Sequence, residues 1–102
     1  MNSNNLKNLT FEERILLYLL DYNYQPGNYL TSESVSFQGI KEAMNCDLGY
    51  LSRIIRSAEK KRYILRKMMK IPSKKRKHNV FFLTKKGRRI ALELQEYINK
   101  SK

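Results

Sequence analysis

Two amphipathic runs joined by only three residues place the strongest limit on the fold of this chain. The first run lies within residues 35–44, where Ser36 suits a helix N-cap, and Val35 and Ile40 occupy the positions of a hydrophobic staple. After the connection Asn45-Cys46-Asp47, in which Asp47 suits a second N-cap, apolar residues recur at helical spacing; they are Leu51, Ile54, Ile55 and Ala58. The pattern predicts two short helices linked by a tight turn.

The second of these helices, predicted over about residues 47–61, has a basic outer face. With about 100° between successive residues, the side opposite the apolar stripe carries four residues, with Ser52 beside them: Gly49, Arg53, Arg56 and Lys60. Two helices in this arrangement fit a helix-turn-helix, in which the N-terminal part of the second helix contacts bases in the major groove. We therefore expect DNA contacts from Gly49, Tyr50, Ser52, Arg53, Arg56 and Lys60.

These residues are expected to differ in what they contact. Arg53 is the predicted base reader, because a guanidinium can form two hydrogen bonds with guanine. Gly49 lets the helix approach DNA closely, and Lys60 is expected to reach phosphate. Tyr50 has two interpretations, a contact with DNA or packing at the edge of the core. The competing interpretation of Arg53 and Arg56 is pairing with acidic side chains, although few acids are available.

The remaining patterns complete a predicted α+β fold, mainly α with a small β-hairpin. Thr10 and Glu13 form the capping-box signature of a first helix, which Pro26-Gly27-Asn28 is expected to end. Two β-prone segments within residues 63–83 predict a hairpin, or wing, and Thr84 caps a last helix. The predicted order is helix-helix-helix-strand-strand-helix over residues 10–99, after a flexible arm at residues 1–9.

Positive charge is concentrated in the part of the chain that holds the basic helix and the hairpin. The chain has 21 Lys and Arg against 9 Asp and Glu; 16 of these bases, and the single acid Glu59, lie between Arg53 and Arg89. Such asymmetry favours a polyanionic partner, above all nucleic acid. Phosphate contacts are expected from the hairpin tip and from the start of the last helix, at Lys74, Lys75, Arg76, Lys77, Lys85, Lys86 and Arg88.

Several classes of function are disfavoured by what the sequence lacks. One cysteine, Cys46, and one histidine, His78, are too few for an internal disulfide or a zinc site. The acids are scattered, and no nucleophile-base constellation or phosphate-binding loop is present, so we expect neither enzymatic activity nor a cofactor. No apolar run approaches the roughly 20 residues that cross a bilayer. We expect a cytoplasmic protein without a membrane partner, associated with the nucleoid when bound to DNA.

Three segments resemble the winged helix-turn-helix transcription regulators of archaea and bacteria. They are Gly39-Ile40-Lys41-Glu42-Ala43, Leu51-Ser52-Arg53-Ile54-Ile55, and the run from Val80 to Arg88, which contains the pattern Leu-Thr-x-x-Gly-Arg. Over about residues 10–99 the chain is similar to MarR-like proteins and to archaeal regulators in which such a domain begins a longer chain. The resemblance implies a sequence-specific regulator that binds double-stranded DNA. The chain departs from it at Arg62, where such proteins often have glycine.

Two other functions stay open on the sequence alone. A sequence-tolerant nucleic-acid binder, acting in DNA architecture or on RNA, has the same fold and charge. A winged helix used for protein contacts buries its third helix against an acidic partner. The apolar stripe of the last helix is either a homodimer interface or part of the internal core; its outer members are Ile90, Leu94, Tyr97 and Ile98. The sequence identifies no operator and no small-molecule effector.

Overall fold

The computed structural model describes residues 9–28 and 30–100. These residues form helices α1 (Phe11–Leu19), α2 (Phe37–Met44), α3 (Leu48–Lys60) and α4 (Lys85–Lys100), and strands β1 (Ile64–Lys70) and β2 (Lys77–Leu83) between α3 and α4. A short 3₁₀ turn, Glu33–Val35, precedes α2. The order confirms the predicted mainly α fold with one hairpin. The arm predicted over residues 1–9 lies outside the described residues, apart from Leu9.

The helices begin at the N-caps that the sequence predicts. Thr10 accepts a hydrogen bond from the backbone of Glu13 at 3.1 Å, and the Glu13 carboxylate accepts one from the backbone of Thr10 at 2.9 Å. Ser36 caps α2, Asp47 caps α3, and Thr84 accepts a hydrogen bond from the backbone of the first turn of α4. These bonds satisfy N–H groups that a helix start leaves unpaired, so the starts are set by local sequence.

Helix α1 ends earlier than the sequence predicts. Its last residue is Leu19, well before Pro26-Gly27-Asn28, so the predicted end was wrong. Contacts with distant parts of the chain hold the segment after α1: the ring of Tyr24 lies 5.5 Å from that of Phe82, and Arg88 donates to Asn23 at 2.8 Å. Tertiary packing therefore overrides the helical spacing of the apolar residues here.

The core lies between the four helices and the hairpin, in which the consecutive β2 residues Val80, Phe81 and Phe82 are all buried. The predicted stripe of α3 faces inward, because Leu51, Ile55 and Ala58 are buried and Ile54 is half-buried. The staple pair Val35 and Ile40 is fully buried at the start of α2. The core is completed by α1, β2, α4 and the residue after β1, chiefly by Ile15, Leu16, Leu19, Ile71, Val80, Phe81 and Ala91.

Strands β1 and β2 pair antiparallel, from Ile64 opposite Leu83 to Lys70 opposite Lys77. The tip of the wing is therefore residues 71–76. Lys77, predicted at the tip, belongs instead to β2. An isolated bridge joins Leu30 to Lys70, in parallel orientation, and the backbone of Thr31 donates to the carbonyl of Lys70 at 3.1 Å. This extra pairing ties the segment before α2 to the base of the wing tip.

The turn between α3 and β1 has Arg62 in the left-handed conformation, at φ +65°. The backbone N–H of Arg62 donates to Glu59, and that of Tyr63 donates to Ala58, which together form the hydrogen-bond pattern of a Schellman helix end. Glycine favours this conformation, which explains why the related pattern often has glycine where this chain has Arg62.

Candidate nucleic-acid interface

The basic side of α3 faces away from the core, as predicted. Gly49, Arg53, Arg56 and Lys60 are exposed, and Ser52 is half-buried beside them. The opposite side of the same helix is buried against the core. The four exposed residues form what we call the front face of α3. Its helical spacing makes it one continuous surface on a helix of 13 residues.

Four acidic side chains pair with cations, and all four of these cations lie outside the front face. The amine of Lys61 lies 3.0 Å from the Glu12 carboxylate, and the guanidinium of Arg66 lies 2.8 Å from that of Glu59. Two further pairs are Lys74 with Glu33 at 3.4 Å and Lys100 with Glu96 at 3.5 Å. Within residues 9–28 and 30–100, no carboxylate pairs with Arg53, Arg56 or Lys60. The positive charge of the front face is thus not neutralised by the chain's own described residues.

The pairing of Arg66 with Glu59 also changes the pKa of Arg66. Two hydrogen bonds from its guanidinium to Glu59, at 2.8 and 2.9 Å, raise the pKa of Arg66 above its usual value. Arg66 is therefore a cation of the wing that is held by the end of α3. It fixes the wing to α3 through side chains, next to the Arg62 turn.

Tyr50 combines the two roles between which the sequence left a choice. Its ring packs on Phe11 of α1, with centroids 4.9 Å apart, yet 39% of the residue stays exposed. The guanidinium of Arg53 also lies over this ring, 5.8 Å from its centroid. A cation held over an aromatic ring is attracted by the ring's electrons. Tyr50 thus links the core edge to the predicted base reader.

Gly49 has no close neighbour that would require glycine. A Cβ built there would meet only the Asp47 carboxylate, at 3.3 Å, and the residue has no positive φ. Glycine inside a helix is less favourable than alanine by about 0.5–1 kcal/mol. The structure therefore leaves room for the predicted explanation, close approach of an outside partner.

The wing tip is held in shape by Lys70. Its amine donates to the backbone carbonyl of Lys74 and, at 2.7 Å, to that of Lys75. Lys74 also pairs with Glu33, so its charge is engaged within the chain. Lys75, Arg76 and Lys77 are exposed, and no described carboxylate pairs with them. No sequence pattern marks Lys70 for this role, because its two acceptors are backbone carbonyls of a folded loop.

The start of α4 is less uniform than predicted. Lys85 is exposed, and the amine of Lys86 lies 5.4 Å from the ring centroid of Tyr63. Arg88 bonds to Asn23 in the segment after α1, along a cavity of about 350 Å³ that Tyr22, Tyr24 and Leu65 help to line. Arg88 is therefore committed to a contact inside the chain, Lys86 lies beside Tyr63, and Lys85 is exposed at the edge of the cavity that Arg88 lines.

Cys46 lies half-buried in the turn between α2 and α3. Burial raises the pKa of its thiol above the usual value. The thiol form is favoured at neutral pH, in keeping with a small apolar residue of the turn.

No protein-family model matches the chain, and no curated protein matches its sequence. Solved structures do match. MepR, a transcription regulator of the Staphylococcus aureus multidrug efflux pump MepA, is 19% identical and superposes with a TM-score of 0.66, covering 97% of this chain and 64% of its own. The S. aureus MepR–DNA complex gives the same identity and TM-score over 97% of this chain and 73% of its own. A MarR family transcription regulator is 20% identical and superposes with a TM-score of 0.64, covering 98% of this chain and 59% of its own.

The chain has the winged-helix fold. The resemblance to MarR-like winged-helix proteins that the sequence predicts is confirmed at the level of the fold. The winged-helix chain spans 64% of the length of MepR and 59% of the MarR family regulator. No helix within residues 9–28 and 30–100 is long and apolar enough to cross a membrane.

Proposed function

We propose that this winged-helix chain is a transcription regulator that binds double-stranded DNA in a sequence-specific way. In this proposal α3 enters the major groove, with Arg53 as base reader and Arg56 and Lys60 beside it. The wing lies along the backbone or over the neighbouring minor groove. The single observation that carries the proposal is the front face of α3, whose cations are exposed and have no acidic partner among the described residues.

Charge supports DNA over other partners. An exposed set of cations without counter-charges repels itself, and a polyanion relieves that repulsion. The major groove of B-DNA is wide enough for one helix, and α3 is a single regular helix with its other side buried. Among the structural neighbours, MepR is known in complex with DNA, which agrees with this use of the fold.

The wing and the start of α4 are proposed to contact phosphates. Lys75, Arg76 and Lys77 are exposed, and Lys70 donates hydrogen bonds to two backbone carbonyls of the tip. Lys85 and Lys86 add positive charge at the N-terminal end of α4, where helix N–H groups also attract anions. Phosphate contacts of this kind provide affinity for any sequence, and this affinity falls as the salt concentration rises.

The test is selection of bound duplexes from a random pool, followed by a measurement of affinity for the selected and a random duplex at physiological salt. A regulator is expected to prefer the selected duplex by about 10³-fold or more. A preference below about tenfold overturns sequence specificity. In that case a sequence-tolerant nucleic-acid binder explains the same front face. No binding to duplex even at low salt instead favours a winged helix that contacts an acidic protein.

Homodimerisation through α4 is a separate part of the proposal. Ile90, Leu94 and Ile98 are half-buried and α1 packs against α4, so much of the apolar stripe belongs to the core. Tyr97 is 52% exposed near the end of the helix, which supports a contact with a second copy there. Sedimentation equilibrium of the chain tests this, and a monomer at concentrations where DNA binding saturates would contradict it.

A further inference from the structure

The first turn of α3 differs in chemistry from the later turns of the helix. Leu48, Gly49 and Tyr50 are all exposed, and none carries a charge. The preceding acid, Asp47, uses its carboxylate to accept from the backbones of Gly49 and Tyr50, at 3.0 and 3.2 Å. The cations of the face begin only at Arg53. The leading end of the helix is thus an apolar tip on a basic surface.

Leu48 is the apolar residue in this tip that packing explains least. It is 50% exposed, although it lies one helical turn before the fully buried Leu51. The apolar stripe therefore runs past the end of the core and continues onto the surface. Single exposed leucines are common and need no explanation by themselves. Leu48, however, adjoins Gly49, which no close contact in the described chain requires.

Helical geometry places Leu48 at one edge of the front face. Successive residues differ by about 100°, so Leu48 and Ser52 lie on the same edge, next to Arg56 one turn further on. The opposite edge carries Tyr50, which Phe11 holds from behind and Arg53 covers. The tip therefore has two edges: a fixed aromatic edge beside the predicted base reader and a free aliphatic edge formed by Leu48.

We propose that Leu48 contacts the 5-methyl group of a thymine and makes one A·T pair a determinant of sequence preference. The inference rests on the proposed function, since it needs α3 in the major groove. The thymine methyl is the apolar group that base pairs present in that groove, and apolar side chains contact it there. The first residues of a reading helix meet the base edges, and cations further along reach phosphate. An apolar tip followed by cations fits this order.

The experiment uses the selected duplex and removes one methyl group at a time. Each thymine of the site is replaced by deoxyuridine, which keeps the base pairing and lacks only the 5-methyl. Affinities are measured for the wild type and for Leu48→Ala. Loss of one buried methyl should weaken wild-type binding about fourfold at one or two positions. In Leu48→Ala the same replacements should change affinity less than about 1.5-fold.

The control variant is Leu92→Ala, which removes a similarly exposed leucine from α4, where 46% of the residue is accessible. It should keep the full dependence on the thymine methyl. The inference is overturned if no thymine replacement weakens wild-type binding, if the selected site contains no thymine, or if Leu48→Ala keeps the fourfold loss. Failure of the proposed function is distinguishable, because it shows as a missing sequence preference before any thymine is replaced.

Discussion

Gly87 packs so closely against Tyr63 that any side chain at residue 87 would overlap the backbone carbonyl of Tyr63. That carbonyl also accepts a hydrogen bond from the backbone of Thr84 at 3.0 Å, so it cannot easily move. We expect Gly87→Ala to lower the free energy of unfolding by about 2 kcal/mol or more, through steric overlap. Urea unfolding followed by circular dichroism measures this.

The matched variant is Gly49→Ala, because Gly49 is also a helical glycine but a Cβ there meets only the Asp47 carboxylate. Its free energy of unfolding should stay within about 1 kcal/mol of wild type, since alanine favours the helix and the carboxylate crowds it slightly. Equal stability of the two variants would contradict the close contact at Gly87.

The left-handed turn at Arg62 makes an opposite prediction. The free energy of unfolding of Arg62→Gly should equal that of wild type or exceed it by up to about 1 kcal/mol, because glycine adopts a positive φ without strain. Arg62→Val should be about 1 kcal/mol or more less stable, because branching at Cβ disfavours that conformation. Thermal unfolding of the three proteins gives the order. A valine variant as stable as the glycine variant would show that the turn does not have this conformation in solution.

Much of the fold follows from neighbouring residues, and the rest depends on contacts that the sequence does not reveal. The caps at Thr10, Ser36 and Asp47 bond to groups two or three residues away, so their spacing predicts them. The end of α1 was missed because it depends on the contact of Tyr24 with Phe82, far along the chain.

The candidate site likewise has features that the sequence predicts and features that depend on the folded structure. Helical periodicity predicts the front face of α3 and the exposure of Arg53 and Arg56. It does not indicate which cations are neutralised, because Lys74 finds Glu33 and Lys61 finds Glu12 only after folding. Nor does it indicate that Lys70 shapes the wing tip through backbone carbonyls.

Lys70 should control the order of the wing tip. Lys70→Met removes the two hydrogen bonds to the carbonyls of Lys74 and Lys75 and keeps a long apolar stem. The tip contains several trypsin sites, and we expect cleavage at residues 74–76 to become several-fold faster. Lys67→Met, a change of the same type on the same strand, should not change this rate. Equal rates in all three proteins would show that Lys70 does not hold the tip.

The exposed wing cations should contribute affinity without sequence preference. Replacing Lys75, Arg76 and Lys77 together by glutamine should lower the affinity for the selected duplex and for a random duplex by the same factor. The slope of log affinity against log salt should fall by about 3, because each phosphate contact contributes about 0.9. Arg53→Ala should instead relax preference at one base position. A triple variant that loses affinity for the selected duplex alone would assign base reading to the wing.

The most direct test of the front face compares two neighbouring cations of the same region. Arg56 lies on the front face with no acidic partner among the described residues, whereas Lys61 is 3.0 Å from the Glu12 carboxylate. Each is replaced by glutamine, and affinity for the selected duplex is measured by fluorescence anisotropy at physiological salt. We expect a loss of about tenfold or more for Arg56→Gln and of less than about threefold for Lys61→Gln. Equal losses, or a larger loss for Lys61→Gln, would contradict DNA binding through this face.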